Sequence, residues 1–204
     1  MLFRSSDDQE ARGNVTQVSI AKISGSRELD LDILITHPKF SDLPVMKVLE
    51  YNIEAIADLI SAHTTTLVFA NTRKMTETIV QKLRPFLGDL VAGHHGSMDK
   101  NIRLDVEKKL KYGHLRAVVT SSSLEMGIDI GSVDLVVQVG SPGDIATALQ
   151  RIGRAGHHVG GIPRARFLPQ SVDDLLELAA LQAAIQTGDM DRLDFPQKIG
   201  RAHV

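Results

Sequence analysis

The sequence predicts an α/β fold in which a mostly parallel sheet lies between helices. Short runs of nearly continuous apolar residues alternate along the 204 residues with segments whose apolar residues recur at helical spacing. Such runs are typical of strands buried on both faces, and parallel strands need a crossover, usually a helix, to connect them. The alternation therefore indicates a sheet that helices cover on both sides.

The predicted strands and helices follow one another in chain order. Continuous or alternating apolar residues predict strands at residues 15–23, 29–35, 66–70, 90–92, 117–119 and 135–139. Apolar residues on one helical face predict helices at residues 49–60, 74–83, 102–110, 145–152 and 175–185, the second of which ends near Pro85. We expect Ser141 to cap the fourth helix, with Asp144 as its capping-box acid, and Ser171 to begin the fifth.

Composition and charge restrict the class of protein. The formal net charge is −2, so contact with nucleic acid would need a local basic patch. The chain has no cysteine, which excludes disulfides and thiolate metal sites. No apolar run is long enough to span a bilayer, and the N-terminus lacks a signal-peptide core. We therefore expect a cytoplasmic protein without a membrane partner and without a metal site of its own.

Four polar clusters follow predicted strands. They are Asn71-Thr72-Arg73, His94-His95-Gly96-Ser97, Ser121-Ser122-Ser123, and Ser141 with the arginine-bearing helix behind it. Because ligands of open α/β sheets bind beyond the carboxyl ends of the strands, we expect these clusters to form a site at one edge of the sheet. Three alternatives remain: a surface role for Arg73, a simple capped turn for the serines, and a structural role for His95.

The segment 150–157, Gln-Arg-Ile-Gly-Arg-Ala-Gly-His, is the most informative in the chain. Arg151 and Arg154 lie three residues apart, and a guanidinium carries a rigid set of donors that suits phosphate oxygens. The glycines beside them allow the backbone to approach a ligand closely. The pattern predicts an element that faces a polyphosphate, and Gly127 and Asp129 form a second glycine–acid turn before it. Surface charge ahead of a helix-ending glycine is the alternative.

Three of these segments resemble helicase motifs. Residues 66–73 resemble motif IV of superfamily 2 helicases, residues 121–129 motif V and residues 150–157 motif VI. Together with residues 94–97, 166–169 and 173–177, they resemble the second RecA-like lobe of the large helicase-related (Lhr) family of DNA/RNA helicases, over residues 27–196. The resemblance implies an N-terminal segment with short strands at 1–44 and a RecA-like domain of the P-loop-NTPase type at 45–170. Residues 171–204 would be a helical extension that stops before a winged-helix domain.

The resemblance also implies roles for individual residues. Arg154 would be the arginine finger that approaches the terminal phosphate of ATP, while Arg151 and Gln150 would contact phosphate or hold the network between the lobes. Gly127 and Asp129 would meet the ribose. The residues implied to contact the backbone of single-stranded or partly duplex DNA or RNA are Asn71, Thr72, Arg73, His95, Ser97, Ser121 and Ser122.

The chain departs from the family pattern at several points. Ser121 stands where motif V usually opens with threonine, and His157 stands where motif VI of many relatives has a third arginine. The sequence has neither a G-x-x-x-x-G-K-[ST] P-loop nor a D-E-x-H box. ATP with Mg²⁺ would therefore need a first lobe, in the same polypeptide or in trans, and we expect the chain alone to be inactive. A stand-alone module that binds nucleic acid or protein is the alternative function.

Overall fold

Six parallel strands form one sheet within residues 28–124, 130–156 and 161–187, which are the residues that the computed structural model describes. The strands are β1 (Asp30–Ile33), β2 (Thr66–Ala70), β3 (Val91–His94), β4 (Ala117–Thr120), β5 (Leu135–Val139) and β6 (Arg164–Leu168). The helices are α1 (Val45–Ala62), α2 (Arg73–Leu87), α3 (Lys100–Lys111), α4 (Ile145–Ile152) and α5 (Val172–Thr187), with 3₁₀ turns at Phe40–Asp42 and Gly88–Leu90. The strand order is β1-β6-β5-β2-β4-β3. The predicted α/β fold with a parallel sheet is confirmed.

Helices cover both faces of this sheet. α1 and α2 pack on the face that includes Val68 and Val137, whereas α3, α4 and α5 pack on the face that includes Leu67 and Val136. Because successive side chains of a strand point to opposite faces, neighbouring residues of β2 and β5 contribute to two separate clusters. All residues of both strands are buried. This is why their sequences are almost continuously apolar.

The strand β6 was not predicted, because its two arginines interrupt the apolar pattern. Arg164 is exposed and Arg166 half-buried. The Nη1 of Arg166 donates to Oδ1 of Asp30 at 2.8 Å across the β1–β6 pair. This hydrogen bond is the main reason that the pKa of Asp30 lies below its ordinary value of 3.8. β1, in the predicted N-terminal segment, is thereby joined to the sheet, while the strand predicted at 15–23 lies outside the described residues.

Four of the five helices in the described residues extend further than their sequence patterns predict: α1, α2, α3 and α5. α1 begins directly after Pro44 and runs to Ala62. The sequence pattern missed residues 45–47, because they are exposed and show no buried face. α2 continues past Pro85 to Leu87. A proline lacks the N–H donor and normally ends a helix, but here it falls in the last turn, where only one hydrogen bond is lost. Gly88, with φ of +58°, then ends the helix.

The predicted cap of α4 is wrong. Asp144 is itself the N-cap residue, and its Oδ1 accepts from the backbone N–H of Thr147 at 2.6 Å. Ser141 instead closes a tight turn by accepting from the N–H of Gly143. The predicted start of α5 is confirmed, because the Oγ of Ser171 accepts from the N–H of Asp174 at 3.1 Å. Among the described residues, no helix combines the length and the apolar character that crossing a membrane requires.

Asn52 connects the loop after β1 to the loop after β6. Its side chain lies in α1 and is fully buried. Its Oδ1 accepts from the hydroxyl of Thr36 at 2.7 Å, and its Nδ2 donates to the carbonyl oxygen of Pro169 at 3.0 Å. Because a buried amide is costly without partners, these bonds fix the chain before α1 relative to the chain after β6.

His94 makes a second buried connection, between β3, α3 and the loop after β4. The side chain is fully buried, with Nε2 2.9 Å from Oε1 of Glu107 and Nδ1 2.7 Å from the hydroxyl of Ser123. A carboxylate only accepts, so the Nε2–H donates to Glu107, and in the neutral ring Nδ1 is left to accept from the Ser123 hydroxyl, which also lies 3.1 Å from the carbonyl oxygen of His94. Burial lowers the pKa of His94 below its ordinary value of 6.5, although Glu107 acts in the opposite direction. The neutral imidazole therefore belongs to the folded state.

We predict that Asn52→Leu lowers the free energy of unfolding by about 1–3 kcal/mol, because it leaves the half-buried hydroxyl of Thr36 and the carbonyl of the buried Pro169 without their partner. Urea unfolding followed by circular dichroism measures the change. Asp58→Ala, on the exposed side of the same helix, is the control and should change stability by less than about 0.5 kcal/mol. Equal losses in the two variants would contradict the structural role of Asn52.

We also predict a loss of stability as the pH falls from 7 to 5. Because the pKa of His94 is lower in the folded chain, the unfolded chain binds a proton at this histidine first as the pH falls. The free energy of unfolding is therefore highest above pH 6.5 and decreases below it. The slope contributed by one proton is at most about 1.4 kcal/mol per pH unit. Urea unfolding at several pH values should show a shallower dependence for His94→Gln. A variant with the same slope as the wild type would refute the assignment.

Candidate functional site

The polar clusters predicted from the sequence do lie at one edge of the sheet. β2, β3, β4 and β5 are parallel and adjacent, and their registers place Ala70 beside Val139 and His94 beside Thr120. The loops that follow them therefore begin side by side. We call this the carboxyl edge.

Arg151 reaches the carboxyl edge from the last turn of α4. Its exposed fraction is only 7%, so it is not the surface charge that the alternative interpretation requires. Its Nη1 donates to Oε1 of Gln138 at 2.7 Å and lies 3.4 Å from Oδ1 of Asn71. Its guanidinium carbon lies 5.2 Å from the centre of the Phe69 ring, within the range of a cation–π contact. Arg151 is thus held between α4, β2 and β5.

Asn71 joins the ends of β2 and β5. Its Nδ2 donates to the carbonyl oxygen of Ser141 at 2.6 Å, and its Oδ1 accepts from Nε2 of Gln138 at 3.3 Å. Gln138 was not among the predicted site residues, because it lies inside an apolar strand. A single amide in a fully buried strand was the available signal, since such a group must find hydrogen-bond partners.

Arg154 lies one turn beyond Arg151 and on a different part of the lobe. The following residue, Ala155, pairs with Val133, which precedes β5. The side chain of Arg154 is half-buried, and its Nε has no hydrogen-bond partner in the part of the chain that the structure describes. Gly156 has φ of +70°, and a Cβ there would lie 2.8 Å from the nitrogen of Pro163. Only glycine allows the chain to turn this closely behind Arg154.

The remaining residues of the predicted nucleotide site are only partly described. Gln150 is exposed on α4. Gly127, Asp129 and His157 lie outside the described residues. Among the residues that are described, no group of three or more histidine, aspartate or glutamate side chains could hold a metal ion.

Thr72 and Arg73 begin α2 at the carboxyl edge. The hydroxyl of Thr72 caps the helix by accepting from the N–H of Met75 at 3.1 Å. Arg73 is exposed and donates through Nη1 to the hydroxyl of Ser97. The structure therefore brings Arg73 and Ser97 together, although they come from the ends of two different strands. Both side chains remain open to solvent.

His95 and the serines after β4 complete the edge. His95 is buried and points away from His94, with Nε2 3.2 Å from Oε1 of Glu77 on α2. Together with Ser97 and Met98, it lines a groove of about 430 Å³ beside that helix. Ser121 is half-buried and Ser122 exposed, while Ser123 is committed to His94. Ser97 and Ser122 are exposed and therefore accessible to a ligand.

Comparisons with known proteins identify the family. Residues 50–159 match the family model described as the helicase conserved C-terminal domain. The chain is 39% identical over 200 residues to the ATP-dependent helicase Lhr-Core protein 2 of Thermococcus barophilus, a match that covers 96% of this chain and 23% of the relative.

Solved structures agree with the family match. The structure of Mycobacterium smegmatis helicase Lhr bound to ssDNA and AMP-PNP is similar with a TM-score of 0.78 and 40% identity, covering 83% of this chain and 23% of that chain. The C-terminal domain of the DEAD-box protein Dbp5 has the same fold, with a TM-score of 0.60, 21% identity, and coverage of 81% of this chain and 88% of that domain.

The chain spans less than a quarter of the length of its Lhr relatives. The parallel sheet is the fold of the matched structures, and the family model covers the segments 66–73, 121–129 and 150–157. The chain therefore belongs to the helicase conserved C-terminal domain family, as the RecA-like C-terminal lobe of an Lhr-type superfamily 2 helicase.

Proposed function

We propose that this lobe supplies the arginine finger and the nucleic-acid backbone contacts of an ATP-dependent DNA/RNA helicase. The observation that carries the proposal is the position of Arg151, whose guanidinium meets the end of β2 through Asn71. The next residues along the chain, Thr72 and Arg73, are the exposed start of α2. Arg151, which suits the phosphates of a nucleotide, and Arg73, which suits the phosphates of a nucleic-acid strand, therefore lie on the same edge of the sheet.

The nucleotide side is built from donors. Arg151 and Arg154 carry permanent positive charge, and the buried Nε of Arg154 has no partner among the described residues, which fits a polyphosphate. Arg154 would act as the arginine finger, Arg151 and Gln150 would contact phosphate or the first lobe, and Gly127 and Asp129 would meet the ribose. Bound ATP supplies the phosphoanhydride bond that the motor hydrolyses. Guanidinium groups so placed would stabilise negative charge that develops on phosphate oxygens.

The complete nucleotide site needs a second component. The chain has no P-loop and no acidic box, so ATP with Mg²⁺ would be held mainly by a first RecA-like lobe, in the same polypeptide or in trans. This lobe would contribute positively charged arginines and would close against the first lobe. By itself it would be inactive as an ATPase. The N-terminal segment 1–44, the domain 45–170 and the extension 171–204 remain our proposed division of the chain.

The proposed contacts to a nucleic-acid strand are made mainly by one arginine and several hydroxyl groups. Arg73 and Ser97 are in contact and exposed, and they would hold the phosphates of single-stranded or partly duplex DNA or RNA. Such groups contact the backbone without reading the base sequence. The other residues proposed to line this path are Asn71, Thr72, His95, Ser121 and Ser122.

The first prediction concerns the arginine finger. When the chain is mixed with a separately expressed first lobe and single-stranded DNA or RNA, ATP turnover should require both pieces. Arg154→Ala should lower that turnover by about 10³-fold or more, because an arginine finger contributes roughly 10³–10⁵ in rate. A phosphate-release assay measures the effect.

The matched control for this variant is Arg164→Ala. It removes the same charge from the opposite edge of the sheet, where Arg164 faces Asp30, and should leave turnover unchanged. Robust turnover by the purified chain alone would overturn the proposal. Absence of turnover in every mixture, with strand binding retained and indifferent to Arg154→Ala, would favour a stand-alone binding module.

The second prediction concerns the strand. Arg73→Ala should weaken the binding of single-stranded DNA by the mixture, and the slope of log K against log salt should shrink by about 0.7, the value for one phosphate contact on a single strand. Arg164→Ala removes the same charge from the opposite edge of the sheet, beside Asp30, and is the control. Fluorescence anisotropy at several salt concentrations distinguishes them. Identical slopes for the two variants would contradict a contact between Arg73 and the nucleic-acid backbone.

A further inference from the structure

Gln138 is a buried polar side chain to which the proposed function assigns no role. It lies in β5 with an exposed fraction of 1%, and its amide contacts the end of β2, the turn after β5 and α4. We propose that Gln138 is a positioning residue for Arg151, whose guanidinium it holds in one orientation against the carboxyl edge. The effect on ATP turnover rests on the proposed function, whereas the positioning itself is a property of this chain.

The surroundings of Gln138 determine which way its amide points. Its Nε2 lies 3.2 Å from the carbonyl oxygen of Val139 and 3.0 Å from that of Gly140, and carbonyl oxygens only accept. Oε1 is therefore left to face Nη1 of Arg151, at 2.7 Å. A flipped amide would set oxygen against two oxygens and an NH₂ group against a guanidinium. The amide has one satisfied orientation, and it presents an acceptor to Arg151.

Phe69 and Asn71 restrict the guanidinium further. The Phe69 ring lies 5.2 Å from its central carbon, which favours a position over the ring face. Oδ1 of Asn71 lies 3.4 Å from Nη1, and Nδ2 of Asn71 is bonded to the carbonyl oxygen of Ser141 at 2.6 Å. Asn71 is thus fixed by the chain after β5, and it closes the cluster that Gln138 begins.

This arrangement reduces the conformational entropy that the Arg151 side chain would lose on binding phosphate. A free arginine side chain populates many rotamers, and ordering them opposes binding. A side chain that is already ordered by its neighbours avoids this loss and keeps its donors in a defined direction. Valine would pack in β5 without needing partners, as it does at Val137 and Val139, so the amide at position 138 serves the arginine rather than the core.

The positioning can be measured on the chain itself by ¹⁵N NMR of the Nη–H₂ groups of Arg151, assigned through their loss in Arg151→Lys. In Gln138→Met, which has nearly the same volume, the Nη1 protons should exchange with solvent about tenfold faster, because their hydrogen bond to Oε1 of Gln138 is lost. Asn52→Leu is the control, since it also replaces a fully buried amide by an apolar group, in a helix on the opposite face. It should leave the Arg151 signal unchanged.

Asn71→Ala is the second variant, for use if Gln138→Met does not fold. Asn71 is exposed, and the substitution removes its long contacts to Arg151 and Gln138 and its bond to Ser141. Because Gln138 keeps its own bond to Arg151 in this variant, we expect a smaller acceleration of Arg151 exchange. Unchanged exchange in the folded Gln138→Met protein would overturn the proposal, and so would a tenfold acceleration in Asn71→Ala, which would assign the positioning to Asn71.

Kinetics of the mixture with the first lobe test the consequence for turnover. Gln138→Met should lower kcat by about tenfold while KM for ATP changes by less than about twofold, because an unpositioned guanidinium acts less often in the transition state. The double variant Gln138→Met/Arg151→Ala should be no slower than Arg151→Ala alone, since Gln138 acts through Arg151. Additive losses would overturn the proposal. If Arg151→Ala leaves turnover intact, the proposed role of Arg151 fails, and the NMR exchange rate alone decides on Gln138.

Discussion

Because every strand of the sheet runs in the same direction, the loops after β2, β3, β4 and β5 must all lie at one edge, and the candidate site depends on this constraint. Helices cover both faces, so the central strands are buried on both sides and can carry almost no polar groups. Polar residues therefore collect where the strands end. Residues as distant in sequence as Asn71 and Ser141 become hydrogen-bonded neighbours in this way.

Three buried polar side chains each join separate parts of the fold. Asn52 ties the loop before α1 to the loop after β6, His94 ties β3 to α3 and to Ser123, and Gln138 ties β5 to α4 through Arg151. Each lies where an apolar side chain would pack without needing a partner. Because a buried polar group is stable only with its partners in place, each connection allows few arrangements of the loops around it. At Ser123 and at Arg151, the carboxyl edge is thus held by polar contacts beneath it, made by His94 and Gln138.

The proposed phosphate contacts need positive charge, although the net charge of the chain is −2. They rest on local charge, at Arg73, Arg151 and Arg154. Asn71 lies between these groups, bonded to the Arg151 cluster and directly followed by the start of α2. A change in the position of Arg151 would therefore alter its contact with the Asn71 amide, next to the start of α2.

The sequence by itself determined the α/β class, most of the strands and helices, and the family, because apolar periodicity and three ordered motifs depend only on local residue order. It did not reveal β6, whose arginines are explained only by Asp30 on a strand more than 130 residues earlier. It also misplaced the cap of α4, since Ser141 and Asp144 are both good caps and the turn geometry selects between them. Tertiary structure alone decided that Arg151 is buried, that Arg73 meets Ser97, and that Gln138 lies beneath the site. These facts depend on contacts between separate strands and helices, which no local pattern encodes.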